Sequence, residues 1–537
     1  MTAAVAGTAA FAGEPLVRAV QDRVRETVHI VRDPATHALG VAPAQPSVRS
    51  RAETGRLDGQ PVPPGELVGT LPPAYPEWLG DRAFSAAHGL RFPYVGGEMA
   101  NGIATTDMVV ALAEAGMLGV FGAGGLEPRA VEAAVDELAR RLADRRNWGV
   151  NLIHTPAEPA VEERVADILV RRRVPVVSAS AYMSLTPAVV RCSATGLITD
   201  RDGRVVRRTR ILAKVSRPEV AELFLSPAPP EILDALVTAG RLTAEEARLA
   251  ALVPVAEALT VEADSGGHTD NRPLGVLLPV LMELADRRAA RTGGMPVRIG
   301  AAGGLGTPQS LAAAFAAGAA YVVTGTVNQV AVESGLSAAG KELLAAADVA
   351  DVCMAPASDM FELGVKLQVL RRGTLFPGRA AHLYEAYQAY ESLAAIPAAL
   401  RSRIERDILR QGFDEAWAAT RAFWTDRDPA EVARAERDPR HLMALVFRSY
   451  LGRSSRWAID GDESRRSDYQ IWCGPAMGAF NRWTHDTFLA VPEQRTVVQI
   501  ARNLLEGAAV VTRAHHLRNL GVPVPPAAFA FRPRPLS

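Results

Sequence analysis

From Phe92 to Thr324 short apolar runs alternate with segments whose apolar residues recur at helical spacing. The runs predict eight strands: Phe92–Gly96, Leu118–Phe121, Trp148–Ile153, Val174–Ser178, Ile211–Val215, Leu259–Glu262, Val297–Gly300 and Ala320–Thr324. Helical spacing over Glu127–Ala143, Pro159–Arg172, Gly275–Ala290 and Gln309–Ala317 supplies crossovers between them. Strand–helix alternation of this kind is the mark of a parallel sheet. Eight strands predict an α/β fold of the (β/α)₈ barrel type, whereas doubly wound sheets use fewer. Two interruptions depart from the ideal. A hairpin is expected around Ile198–Val206, with Asp202-Gly203 at its turn, and a helical insertion across Pro229–Ala251, within about 217–258.

The barrel pattern occupies residues 81–335. Residues 1–80 read as a small irregular N-terminal element, rich in Pro and Gly at Pro61–Gly65 and Leu71–Pro76. Beyond Gly335 the helical patterns Leu383–Leu393, Leu400–Ala422 and Val497–Arg513 predict a mainly helical C-terminal domain, 336–537, ending in a Pro-rich tail. The stretch Ile299–Val332 carries no charged residue, yet its Gly-Gly, Thr-Pro, Asn and Gln fit a buried strand–turn–helix–strand better than a membrane span.

Composition narrows the class. Hydrophobic residues make up 48% and charged residues 22%, as in a soluble enzyme. Fifty-nine basic residues balance 59 acidic ones, so nothing global points to nucleic acid or a membrane surface. The 3 cysteines are too few and too scattered for a disulfide framework or a zinc site, which fits a reducing cytoplasm. No basic residue precedes Arg18, so the N-terminus does not read as a signal peptide. The lysines are Lys214, Lys341 and Lys366; in a chain that otherwise uses arginine, a lysine at a strand end stands out.

Function in a parallel barrel gathers at the C-terminal strand ends, with phosphate often bound after strands seven and eight. Gly303 and Gly304 follow the seventh strand, within Gly300–Pro308, and Gly325-Thr326 follow the eighth. Such turns offer backbone N–H groups at close range, and Thr307-Pro308 reads as the cap and first residue of the next helix. Simple tight turns are the alternative. The loop Glu262–Asn271 joins carboxylates, Gly266-Gly267 and His268, a residue suited to proton donation. That histidine could instead be held by Asp264 or Asp270, or belong to a metal site, although no neighbouring loop supplies a ligand set. Met99 and Asn101 in Gly96–Gly102 suit the edge of a planar ring. No G-x-G-x-x-G follows a strand in register, and Gly119–Gly125, the nearest imitation, lacks the acidic partner a dinucleotide fold requires.

Taken together, Leu71–Gly80, Met99–Gly102, Gly149–His154, Ala213–Arg217, Glu262–Asp270, Thr324–Gln329, Leu367–Pro377 and Tyr469–Gly478 resemble the PfaD family. These are trans-acting enoyl reductases of polyketide and polyunsaturated-fatty-acid synthases, within the nitronate monooxygenase-like superfamily of FMN barrels. The resemblance runs from about residue 65 to about 515. It implies FMN as cofactor, NADPH (or NADH) as hydride donor, and an enoyl thioester on an acyl carrier protein as substrate. It places the flavin among Met99, Ala100, Asn101, Gly102, Asn151, Lys214, Asp264, Gly266, Gly267, Gly303, Gly304, Gly325 and Thr326. His268 becomes the polar partner or proton donor, Lys214 a charge near the flavin pyrimidine, and Asn151 a partner of the ribityl–phosphate region. The loop reads Glu-Ala-Asp-Ser-Gly-Gly-His, longer by Asp264-Ser265 than in the monooxygenase branch, which favours reduction over nitronate oxidation. The C-terminal helices are expected to form a lid and a carrier-protein dock around Arg371, Arg372 and Arg379, and a homodimer is a further expectation. A nitronate monooxygenase-like oxidase and a non-catalytic scaffold of a synthase complex are the rival readings.

Overall fold

A computed structural model describes residues 9–44 and 66–536, apart from Ala157 and Met295. Eight parallel strands close a barrel: β1 (Tyr94–Gly96), β2 (Leu118–Phe121), β3 (Trp148–Ile153), β4 (Val176–Ser180), β5 (Arg210–Val215), β6 (Ala258–Glu262), β7 (Arg298–Ala302) and β8 (Val322–Thr324). Each strand pairs with the next, and β8 closes on β1 through Val322 opposite Tyr94 and Thr324 opposite Gly96. All eight strands foreseen from the pattern are in the barrel, two with the expected bounds and six displaced by one or two residues at one or both ends.

Proline sets the start of many crossovers. Helices Pro128–Leu142, Pro159–Arg171, Pro187–Ala194, Pro218–Phe224 and Pro308–Ala316 all open on it, where its missing N–H costs nothing. Val131, Val135, Leu138 and Leu142 then form one buried stripe on the first of these. Thr307 caps the last through Ser310 N, as the Thr-Pro pair predicts. The base of the barrel is plugged by helix Arg82–His88, whose Phe84 stacks on Tyr321 at 4.0 Å between centroids. Gly300 lies within β7, where a Cβ would run into the Tyr321 ring. It therefore belongs to the core, and the turn proper is Gly303–Gly306.

The hairpin pairs Ile198–Thr199 with Val205–Val206, and helices Pro230–Thr238 and Ala244–Ala250 form the insertion between β5 and β6. The N-terminal reading needs correction. In place of irregular chain, the described residues before 80 hold helix Gly13–Gln21 and an antiparallel sheet of Leu39–Pro43, Val28–Arg32 and Glu66–Leu71. The Pro61–Gly65 run lies outside the described residues. This element docks on the end of the 23-residue helix Val497–Asn519, where buried Arg513 donates to the carbonyls of Val24, Glu26 and Pro72.

The C-terminal region is mainly helical but also carries strands Val352–Pro356 and Lys366–Leu370, which pair antiparallel with each other, the second also pairing with Gly267-His268. The helix expected over Leu400–Ala422 is broken. A π-helical turn, Ile404–Leu409, ends at Arg410 in a left-handed conformation (φ 57°), and a new helix runs Phe413–Arg427. Arg427 at its end pairs with Glu127 and Glu158 of the barrel loops. Of the three arginines expected at a carrier-protein dock, Arg371 and Arg372 are exposed, Arg372 pairing with Asp351 at 3.2 Å, while Arg379 pairs with the fully buried Asp468. Among the described residues no helix is long and apolar enough to cross a membrane.

Candidate active site

The C-terminal ends of the barrel strands open into one cavity of about 1590 Å³, faced from the other side by helices Phe413–Arg427 and Pro439–Asp460. It exceeds the ~300–1,000 Å³ of a typical small-molecule site, so it has room for a cofactor and a second ligand. Of the residues expected at the cofactor and as the proton donor, all line it except Gly102 and Asp264. Gly102, with φ +73°, forms a turn packed beneath Gly335, whose Cβ would meet its carbonyl at 2.6 Å. The Asp264 carboxylate accepts from Gln368 Nε2 at 2.6 Å and Asn271 Nδ2 at 2.9 Å, so it shapes the histidine loop from behind.

The two glycine pairs divide their labour alike. A Cβ on Gly266 would lie 2.8 Å from Cys473 N, and one on Gly303 would lie 2.6 Å from Ala263 C. These first glycines make room for neighbouring backbone. Gly267 (φ +86°) and Gly304 (φ +71°) have nothing within 4 Å of a Cβ position and face open space. Their left-handed backbone is one that other residues adopt at a cost. Gly325-Thr326 begins a 3₁₀ helix, Thr326–Val330, beside them, and the Thr326 hydroxyl accepts from Gly474 N at 3.3 Å.

Lys214 is largely but not fully buried near the end of β5. Its ammonium lies 2.9 Å from Glu262 Oε1 and 3.2 Å from Glu98 Oε1, and Ser178 Oγ donates to Glu98 at 2.8 Å. Burial disfavours the ammonium, but the two carboxylates outweigh it and hold the Lys214 pKa above the ordinary lysine value. Glu98 and Ser178 were not foreseen. The signal for Glu98 was there, as the one charged side chain in the glycine loop after β1. Asn151 is buried in β3, and its amide donates to Ser178 O at 3.1 Å and Ser180 Oγ at 2.8 Å. What it offers the cavity is therefore its carbonyl oxygen.

His268 is held by neither Asp264 nor Asp270. Its Nε2 lies 3.2 Å from Asp359 Oδ1, while Asp270 pairs with Arg217 at 2.7 Å. Burial lowers the His268 pKa, but the hydrogen bond and charge of Asp359, helped by Glu262, raise it overall. Burial in turn raises Asp359, and His268 brings it below the usual carboxylate range. Among the described residues no group of three His, Cys, Asp or Glu could hold a metal ion.

These residues fit a flavin mononucleotide. Gly303-Gly304 and Gly325-Thr326 bring the backbone of two adjacent strand-end turns to one side of the cavity, where a phosphate could take their N–H groups. Met99, Ala100 and Gly267 line the cavity with small or apolar surface that would suit a flat ring, and the Lys214 ammonium lies in the same wall.

The fold and the strand-end site define a barrel enzyme of the oxidoreductase class. Residues 83–414 match the family model described as nitronate monooxygenase, and residues 390–469 that of the inserted helical domain of [acyl-carrier-protein] S-malonyltransferase. The chain belongs to the nitronate monooxygenase family, in its PfaD-type branch. It is 46% identical over 466 residues to a polyunsaturated fatty acid synthase component of Thraustochytrium sp., covering 85% of this chain and 31% of that one. It is 41% identical over 436 residues to the polyketide biosynthesis protein PksE of Bacillus subtilis, covering 81% and 56%. The chain thus spans less than two thirds of the length of these relatives. Among solved structures it is similar to the enoyl reductase domain of MlnA, from the macrolactin cluster of Bacillus amyloliquefaciens. That match has a TM-score of 0.79 and 36% identity, covering 82% of this chain and 99% of the domain.

Proposed function

We propose that this chain is a trans-acting enoyl reductase that reduces the α,β-double bond of enoyl thioesters on an acyl carrier protein. The pathway class is polyketide or polyunsaturated-fatty-acid synthesis, with FMN as cofactor and NADPH or NADH as hydride source. The observation that carries the reading is the meeting of Gly304, Lys214 and the His268–Asp359 pair in one strand-end cavity of a PfaD-type barrel. The chain's likeness to the MlnA enoyl reductase domain supports it.

Bound FMN would supply hydride transfer from the nicotinamide to the β-carbon of the substrate. The chain's own residues meet the charges this creates. Lys214, fixed by Glu98 and Glu262, places an ammonium where the reduced ring carries negative charge. His268, favoured as a cation by Asp359, donates toward the thioester oxygen, where negative charge develops. Helices Phe413–Arg427 and Pro439–Asp460 shield the cavity as a lid. The enzyme would work in the cytoplasm alongside synthase modules.

The test is anaerobic. The purified protein should be yellow; a colourless protein that stays so after FMN addition would sink the flavin reading. After photoreduction, an enoyl thioester should reoxidise the flavin. Oxygen consumption with a nitronate in a separate aerobic assay, and no reoxidation by the enoyl thioester, would assign the chain to the oxidase branch instead.

A further inference from the structure

The cavity wall between β3 and β4 carries a histidine that the chemistry above does not use. His154 follows β3, and its amide donates to Ser180 O at 3.0 Å. Its ring lines the cavity and stacks on Tyr182 with centroids 5.1 Å apart. Its Nδ1 lies 2.9 Å from Glu162 Oε2. The Glu162 side chain is only 3% exposed. Its oxygens also accept from the Thr155 amide at 3.2 Å, the Tyr182 hydroxyl at 3.1 Å and the Thr186 hydroxyl at 2.5 Å.

Three donors besides the imidazole surround this carboxyl, so it is an anion. Burial pushes Glu162 up, and the hydrogen bonds from His154, Thr186 and Thr155 bring it below the ordinary value. An anion at that position takes its hydrogen bond from Nδ1–H, which fixes the tautomer. Nε2 is left as the ring position that gains or loses a proton.

Reduction of an enoyl thioester makes two demands at two places, a donor for the thioester oxygen and a proton for the α-carbon. Among the described residues the cavity is lined by two histidines, each backed by a carboxylate, His268–Asp359 and His154–Glu162. We propose that His154 is a second catalytic acid, delivering the proton from Nε2 to the α-carbon while Nδ1–H stays on Glu162. The Nε2–H bond breaks, the α-carbon–hydrogen bond forms, and the neutral imidazole left behind takes its next proton from water. The inference rests on the enoyl reductase reading.

The test reduces an α-methyl-branched enoyl pantetheine thioester with the flavin-loaded protein and NADPH, reading both kcat and the epimer ratio at the α-carbon. A positioned acid protonates one face, so the wild type should give one epimer. His154→Gln keeps a donor for Glu162. It should lower kcat by ~10² or more and give a mixture of epimers, because water replaces the acid. His154→Ala should behave alike and regain rate with added imidazole. Wild-type rate and a single epimer in both variants would overturn the proposal and leave the enoyl reductase reading intact. A wild type that reduces no enoyl thioester would overturn both.

Discussion

The Lys214 ammonium lies 2.9 Å from Glu262 Oε1, at the ends of adjacent barrel strands, with Glu98 3.2 Å away on the other side. One cation thus separates two carboxylates that would otherwise face each other in the wall of the cavity. Lys214→Met removes it and leaves both anions unpaired. Breaking a buried pair in this way costs about 3–5 kcal/mol. The urea midpoint should fall accordingly, and Glu98→Gln added to the same variant should recover part of the loss. A midpoint unchanged by Lys214→Met would mean the cluster carries no net pairing energy.

The His268–Asp359 pair makes a pH prediction. The His268 pKa is raised in the folded protein, so its cation persists to higher pH than a free histidine's. Its contribution to stability is present below the unfolded pKa and fades as pH rises through the folded one. Asp359→Asn removes the largest raising influence. The basic limb of the kcat/KM profile for enoyl reduction should therefore move to lower pH, with the acidic limb unmoved. His268→Ala should lower kcat by roughly 10²–10⁴, the range of a positioned acid or donor. Full activity of His268→Ala at every pH would remove the residue from the chemistry.

The barrel was legible because its information is local. Strand runs, prolines at helix starts and the Thr307 cap can all be read within ten residues. What escaped depends on distant partners. Asp359 lies 91 residues from His268, in a loop between two short strands embedded in helical text. The N-terminal sheet pairs Val28–Arg32 with Glu66–Leu71 across a Pro-rich span that gives no hairpin signal. Arg410 breaks a helix that periodicity alone would carry through, since nothing in an arginine announces a left-handed backbone. The glycine pairs stand out in the sequence, but which glycine faces open space and which meets neighbouring backbone is a property of three dimensions.

That division can be tested by pairwise substitution. Gly304→Ala puts a Cβ into open space at φ +71°, a strain of about 1–2 kcal/mol with no overlap. Its main effect should be on cofactor content, read as the flavin absorbance per protein. Gly303→Ala adds overlap with the Ala263 backbone at 2.6 Å, and should cost on the order of 3 kcal/mol in addition to lost flavin. Equal Tm values for the two variants would contradict the assignment.

His88 supplies an acid-stability prediction far from the chemistry. It is buried in the helix that plugs the barrel base, beside the Phe84 ring at 4.5 Å, and neither ring nitrogen has a hydrogen-bond partner among the described residues. Burial, with the nearby charges of Arg210 and Arg298, lowers its pKa from 6.5 to about 3. Here the folded pKa lies below the unfolded one, so the unfolded chain binds the extra proton between those values. Stability is therefore whole above pH 6.5 and falls as the pH drops from 6.5 toward 3. The loss amounts to several kcal/mol, on the order of 1.4 per pH unit across that window. His88→Leu removes the titration and keeps the apolar contact. Calorimetry between pH 7 and pH 4 should show a shallower fall in Tm for His88→Leu than for the wild type. Parallel curves would mean that His88 takes up its proton in the folded state as readily as in the unfolded chain.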